Sequence, residues 1–233
     1  MAKAKTAVSL KPRSHAARAE ASRSAILDAA ERVFASYGYE GATMSLIAAS
    51  AKQAQALLHY YFETKENLYE EVFKRRASEI NRFRKNAIDQ LFAGDARPSL
   101  EDLLEVLFSP APATESGGGS SPAFSQIVAA VVVADDPRSK DIVTRHYDPI
   151  AQDFIRAFRK ILPELSLSDA VWAYLFAHGA RIQVYSNSGR HPRLAGSRSQ
   201  QIAVQDSVES LTAFAAAGIR ALCKRAPPVR KSR

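Results

Sequence analysis

The chain has 233 residues, a formal net charge of +8 and an ordinary hydrophobic share of 46%, which admits one large domain, or a small and a medium one, with a sizeable core. No run approaches the roughly 18 uncharged apolar residues that span a membrane, and the N-terminal basic residues have no apolar run behind them, which excludes a secretory signal. The lone cysteine, Cys223, can form neither an internal disulfide nor a cysteine-rich zinc site, so the expectation is a reduced, cytoplasmic protein without a cofactor.

Residues 1–21 carry Lys3, Lys5, Lys11, Arg13 and Arg18 without a sustained apolar period and read as a disordered basic arm. From Arg23 on, Ile26, Leu27, Ala30, Val33, Phe34 and Tyr37 share one helical face. Ser22 is placed to cap that helix, and Gly38 to stop it. Thr43 can cap a short helix holding Met44, Leu46, Ile47 and Ala48; after a break at Lys52-Gln53, a second short helix carries Leu57 and Leu58 to Phe62. Thr64 caps a long helix with Glu66 in its first turn, and its apolar stripe runs from Leu68 to about Phe92.

Gly94 to Pro98 ends that helix and Ser99 caps the next, which holds Leu100, Leu103, Leu104 and Leu107. Pro110 to Pro122, with its Gly117-Gly118-Gly119-Ser120-Ser121 core, is the clearest loop. Ala123–Val133, 139–162, 168–188 and 201–224 read as four further helices, with 186–198 a polar loop between the last two. Asp135-Asp136 before Pro137 reads as a turn or cap rather than a metal site. The basic tail, 227–233, mirrors the N-terminal arm, and both ends suit polyanions.

Two short helices after a longer one form a helix-turn-helix, whose second short helix fits the DNA major groove. Gln53, Gln55, Ala56, His59 and Tyr60 make its outward face, and Leu58, Tyr61 and Phe62 its inward face. Gln55 has the chemistry to pair with adenine; His59, Tyr60 and Lys65 can donate to phosphates. The backbone amides at the start of the Thr43-capped helix suit a phosphate as well.

Ile26-Leu27-Asp28-Ala29-Ala30, Phe34, Gly38-Tyr39, Ala42-Thr43, Ile47-Ala48 and the run Leu57 to Tyr69 resemble the DNA-binding domain of the TetR family of bacterial regulators. The resemblance covers about Arg23 to Val72. It implies an all-α fold: a three-helix DNA-binding domain over 22–70 and a larger helical ligand-binding and dimerisation domain over 71–226. It also implies that Thr43 and Lys65 contact phosphates, and that Ala54 to Tyr60, Leu57 included, lies against bases and backbone. His59 stands where the family usually has a tyrosine. The family's usual turn, Ala-Gly-Val-Ser, reads Ala51-Lys52-Gln53-Ala54 here. The glycine has become Lys52, whose charge can replace a phosphate contact, and the capping serine has become Ala54.

The resemblance implies further that 168–188 and 201–224 pair with their copies in a homodimer. The C-terminal half is similar, more distantly, to the branch responding to fatty-acid or acyl-CoA-like molecules. Phe108, Phe124, Ile127, Val131, Tyr147, Phe154, Trp172 and Phe176 are candidates to line an apolar effector pocket; ordinary core packing accounts for the same residues. His146 and His178 are candidates to orient a polar ligand group or to serve as structural histidines. The expected function is a dimeric regulator, a repressor released from a palindromic operator by a small hydrophobic or amphipathic effector. A nonspecific nucleic-acid-binding protein is the alternative. An enzyme is disfavoured because no Gly-rich phosphate loop, Gly-x-Ser-x-Gly elbow or paired carboxylates occur.

Overall fold

A computed structural model describes residues 15–94, 97–112, 121–185, 190–196 and 204–224. Every regular element among them is a helix: α1 (His15–Gly41), α2 (Met44–Ala51), α3 (Gln55–Phe62), α4 (Lys65–Leu91), α5 (Leu100–Phe108), α6 (Pro122–Val133), α7 (Pro137–His146), α8 (Asp148–Ile161), α9 (Leu167–Tyr185), α10 (Arg190–Ala195) and α11 (Val204–Cys223).

The stop at Gly38 and the caps at Thr43, Thr64 and Ser99 are in place. Gly38 breaks α1 with φ 67° and ψ 176°, a conformation that side chains disfavour. Thr43, Thr64 and Ser121 cap α2, α4 and α6 by accepting from the amides of Leu46, Asn67 and Phe124. Ser99 and Asp102 form a reciprocal capping box on α5. Asp136 caps α7 by accepting from the Ser139 amide, the cap reading of Asp135-Asp136.

Three boundaries differ from expectation. Ser22 lies inside α1 rather than at its start. Residues 15–21, assigned to the unstructured arm, are helical: the segment is rich in alanine, a strong helix former, and the Tyr61 hydroxyl donates to the Ala19 carbonyl at 3.2 Å. The rest of that arm, the glycine-rich loop core and the basic tail lie outside the described residues. The span 139–162 is two helices, because Pro149, in the first turn of α8, has no N–H to give Arg145 O and its ring crowds that carbonyl, so α7 cannot run on; Tyr147 becomes the junction. The 186–198 loop contains α10.

Two cores form, and they do not divide at residue 70. The first joins α1, α2, α3 and the N-terminal half of α4 to α6 and α7, with Phe34, Leu58, Phe62, Phe73, Phe124 and Tyr147 buried together. The second joins the C-terminal end of α4 to α5, α8, α9 and α11 around Leu103, Leu107, Phe108, Phe154 and Phe158. Helix α4 spans both, and at 1.5 Å per residue it is about 40 Å long. The seam across α1, α4, α6 and α7 is ionic. Glu31, itself buried, accepts from Arg76 Nε at 2.6 Å and from the Ser121 hydroxyl. Glu70 accepts from Arg145 at 2.8 Å and faces His146 Nε2 at 2.7 Å.

Candidate functional site

Helix α2 ends in a Schellman motif: the Gln53 amide donates to Ala48 O and the Lys52 amide to Ala49 O, each at 3.1 Å. Lys52 adopts the left-handed conformation this needs (φ 53°, ψ 41°), at the position where glycine is usual. Ala54 then starts α3 with no side-chain cap. At the other end, Glu63 (φ 63°, ψ −61°) makes a γ-turn, closed by the Thr64 amide on Phe62 O at 2.7 Å. Two tight turns therefore fix the angle of α3 to the helices on either side.

Between them α3 has two clear faces. Leu58 and Phe62 are buried, and Leu57 and Tyr61 pack partly against the core. Gln55, Ala56, His59 and Tyr60 are exposed, Tyr60 at 79% of its surface. His59 Nδ1 donates to Glu63 O at 3.0 Å, which in the neutral ring leaves Nε2 to accept from the Gln55 amide 3.4 Å away. The expected outward face is thus present, with two exceptions. Leu57 is turned partly inward, and Gln53 is half-buried in the turn.

Lys65 differs from its expected role. Its ammonium donates to Tyr39 O at 3.0 Å and Ala42 O at 3.1 Å, and lies 4.2 Å from the centre of the Tyr39 ring. It ties the first turn of α4 to the end of α1 more than it reaches into solvent. Tyr39 donates to Glu66, and burial together with that bond raises its hydroxyl to about 12, while the bond holds Glu66 below the usual carboxylate value. Arg138 of α7 stacks on the same ring, 3.5 Å from its centre, and faces Glu40 at 3.5 Å.

The residues expected to line an effector pocket separate into three groups. Phe124 and Tyr147 border a small cavity of about 30 Å³, room for a water or two. Ile127 and Val131 are buried in the first core, and Phe108 and Phe154 in the second. Trp172 and Phe176 are surface residues, 52% and 60% exposed, with their rings stacked 5.3 Å apart on the outer face of α9. They miss this cavity because the inward stripe of α9 is Ala170, Ala173, Tyr174, Ala177 and Arg181; Phe176 instead lines an open groove between α9 and α11.

The cavity holds residues that sequence reasoning passed over. Arg84 of α4, with Arg181 and Tyr185 of α9, joins His178 there. Arg84 and Arg181 are only 4% and 8% exposed. Among the described residues no carboxylate pairs with either; Arg84 Nε and Nη2, Arg181 Nε and the Tyr147 hydroxyl have no hydrogen-bonding partner there. Burial lowers Arg181 to about 9, leaving it charged at neutral pH. Burial and the two guanidiniums push His178 down to about 3, so its ring is neutral. The available signal was phase: Ile80, Arg84 and Ile88 repeat every four residues, which puts a cation in the middle of a buried stripe.

Sequence comparison addresses the reader directly. A profile described as bacterial regulatory proteins, tetR family, matches residues 26–72. One described as tetracyclin repressor-like, C-terminal domain, matches residues 105–218. The chain belongs to the TetR family. It is a TetR-family transcriptional regulator, with the helix-turn-helix in the α2–α3 unit and a larger helical C-terminal domain. No curated protein matches the sequence. Solved TetR-like folds are similar over most of the chain. A Clostridium perfringens protein named as a fatty acid metabolism regulator is 20% identical with a TM-score of 0.59, covering 83% of this chain and 97% of its own. A transcriptional regulator from Pseudomonas aeruginosa PAO1 is 19% identical with a TM-score of 0.60, covering 87% and 92%. GusR of Salmonella enterica is 16% identical with a TM-score of 0.54, covering 88% and 96%. Among the described residues no helix is long and apolar enough to cross a membrane, and no cluster could hold a metal ion.

Proposed function

We propose that this regulator acts in the cytoplasm as a homodimeric repressor that binds a palindromic operator and is released by a small effector with an apolar body. One observation carries the DNA reading: α3 is clamped by Leu58 and Phe62 and by two tight turns, while Gln55, Ala56, His59 and Tyr60 stand free on its other side. In this reading Gln55 reads a base edge, Tyr60 and Lys52 contact backbone, and the α2 N-terminus capped by Thr43 receives a phosphate.

The dimer reading rests on α9 and α11. Phe176 and Phe214 are exposed there, Phe214 at 74%, along a groove of about 300 Å³ floored by Ala173, Ala177, Ala215 and Gly218. A second copy of these helices covers that face and sets two α3 helices one turn of DNA apart, roughly 34–36 Å.

Release runs through α4 and α6. Helix α6 walls the cavity with Phe124 and Val128, packs Phe124 on Phe73 at 5.6 Å, and holds Glu31 of α1 through Ser121. An effector that displaces α6 alters the seat of α1. It shifts the population toward dimers whose readers are misplaced, to the extent that it binds the two states unequally.

Footprinting of the full-length protein tests the reading. Protection of one short palindrome, bound far more tightly than random DNA, is the expected result. Even coating of all sequences would replace it with a nonspecific binder.

A further inference from the structure

The cavity among α4, α6 and α9 is chemically lopsided. Two guanidiniums are buried beside it, together with an unpartnered tyrosine hydroxyl and a neutral histidine. The residues facing Arg84 electrostatically are tyrosines, namely Tyr174, Tyr147 and Tyr185, and Arg181 adds the repulsion of Arg84 itself. Asp148 acts electrostatically on Tyr174. Buried charge without a counter-charge costs several kcal/mol, and proteins ordinarily remove it by pairing.

We infer that the counter-charge is supplied by the effector: the cavity is the seat of a carboxylate, held by Arg84 and Arg181, on a molecule whose apolar body lies against Phe124 and Val128. This rests on the effector reading above and names its chemical class. A carboxylate has the acceptor geometry that guanidinium N–H groups satisfy best, and its remaining lone pairs suit the Tyr147 hydroxyl. The void of about 30 Å³ takes the headgroup alone. The body must therefore press on α6, the helix whose first residues hold α1, and so headgroup capture and release of the reader become one event.

The test is thermal melting of the full-length protein with butyrate, octanoate and palmitate, each against the alcohol of the same chain length, and with inorganic phosphate, all at matched ionic strength. At least one acid should raise the melting temperature where its alcohol and phosphate do not. Arg84→Met and Arg181→Met should each weaken that acid by about tenfold or more, the size of a lost charge-assisted bond. Arg181→Lys serves where a methionine variant does not fold. Arg82→Met, at an exposed arginine of the same helix as Arg84, should keep the full shift.

No acid outperforming its alcohol, phosphate matching the acids, or Arg variants that retain the shift would each overturn the inference. Operator binding measured on the same samples separates the two readings. An acid that binds but leaves the DNA complex intact refutes effector release and keeps the carboxylate seat. A sound footprint with no acid response does the reverse.

Discussion

Two cations on one helix show how differently the two halves of this regulator use charge. Lys65, in the first turn of α4, is satisfied by two carbonyls and an aromatic ring. Arg84, some 28 Å further along the same helix at 1.5 Å per residue, is more deeply buried and has no such partner. The reader's buried charges are therefore matched, Glu31 by Arg76 and Lys65 by two carbonyls, and the outer face of α3 is polar. The cavity is unfinished, with two guanidiniums in place and no counter-charge among the described residues. A recognition surface for a large polyanion can wait in solvent, whereas a site for a small anion must hold its charges ready at the expense of stability.

The largest expected effect breaks the reader half of this comparison. The double change Gln55→Ala with Tyr60→Ala should weaken operator binding by about 100-fold or more, at roughly 1–3 kcal/mol for each good contact. The melting temperature should stay near wild type, because both side chains are exposed. Unchanged affinity in a gel-shift titration would remove α3 from the interface.

The cavity half predicts the opposite sign. Arg84→Met should make the ligand-free protein more stable, by about 1–3 kcal/mol in denaturant unfolding, because it removes a buried charge that has no partner. A loss of that size would mean that the guanidinium is satisfied after all. Lys65→Met, at the finished end, should instead cost about 1–2 kcal/mol by stranding the carbonyls of Tyr39 and Ala42.

His178 adds a pH test. Its proton affinity falls from the ordinary 6.5 to about 3 on folding. Below pH 6.5 the unfolded chain takes up a proton that the native cavity refuses, so stability is full above that value and declines as pH falls toward 3. His178→Gln should flatten the decline in urea melts recorded across that window. The smallest effect belongs to the turn. Ala54→Ser, which restores a cap on α3, should add about 1 kcal/mol and strengthen binding to all DNA sequences alike.

The reader was legible because its signals are local. Caps at Thr43 and Thr64, a break at Lys52-Gln53 and a four-residue alternation of inward and outward side chains in α3 all act within one or two turns of chain. The bonds of Lys65 to Tyr39 O and Ala42 O were not legible for the same reason: those carbonyls belong to a distant stretch of sequence. That Trp172 and Phe176 lie off the cavity was not legible, because aromatic character carries no direction. The α9 stripe alone, with Ala170, Ala173 and Ala177, does not say which face meets the rest of the chain.

By itself the sequence determined the helical class, most of the helices, the caps at Thr43, Thr64 and Ser99 and the outward face of α3, since each depends on residues a few positions apart. Tertiary structure alone decided that α6 and α7 join the reader's core, and that Arg84 and Arg181 meet across the cavity. Those outcomes depend on how separate helices rotate about their axes when they pack, and that rotation is set by the sum of many weak contacts between residues far apart in the chain.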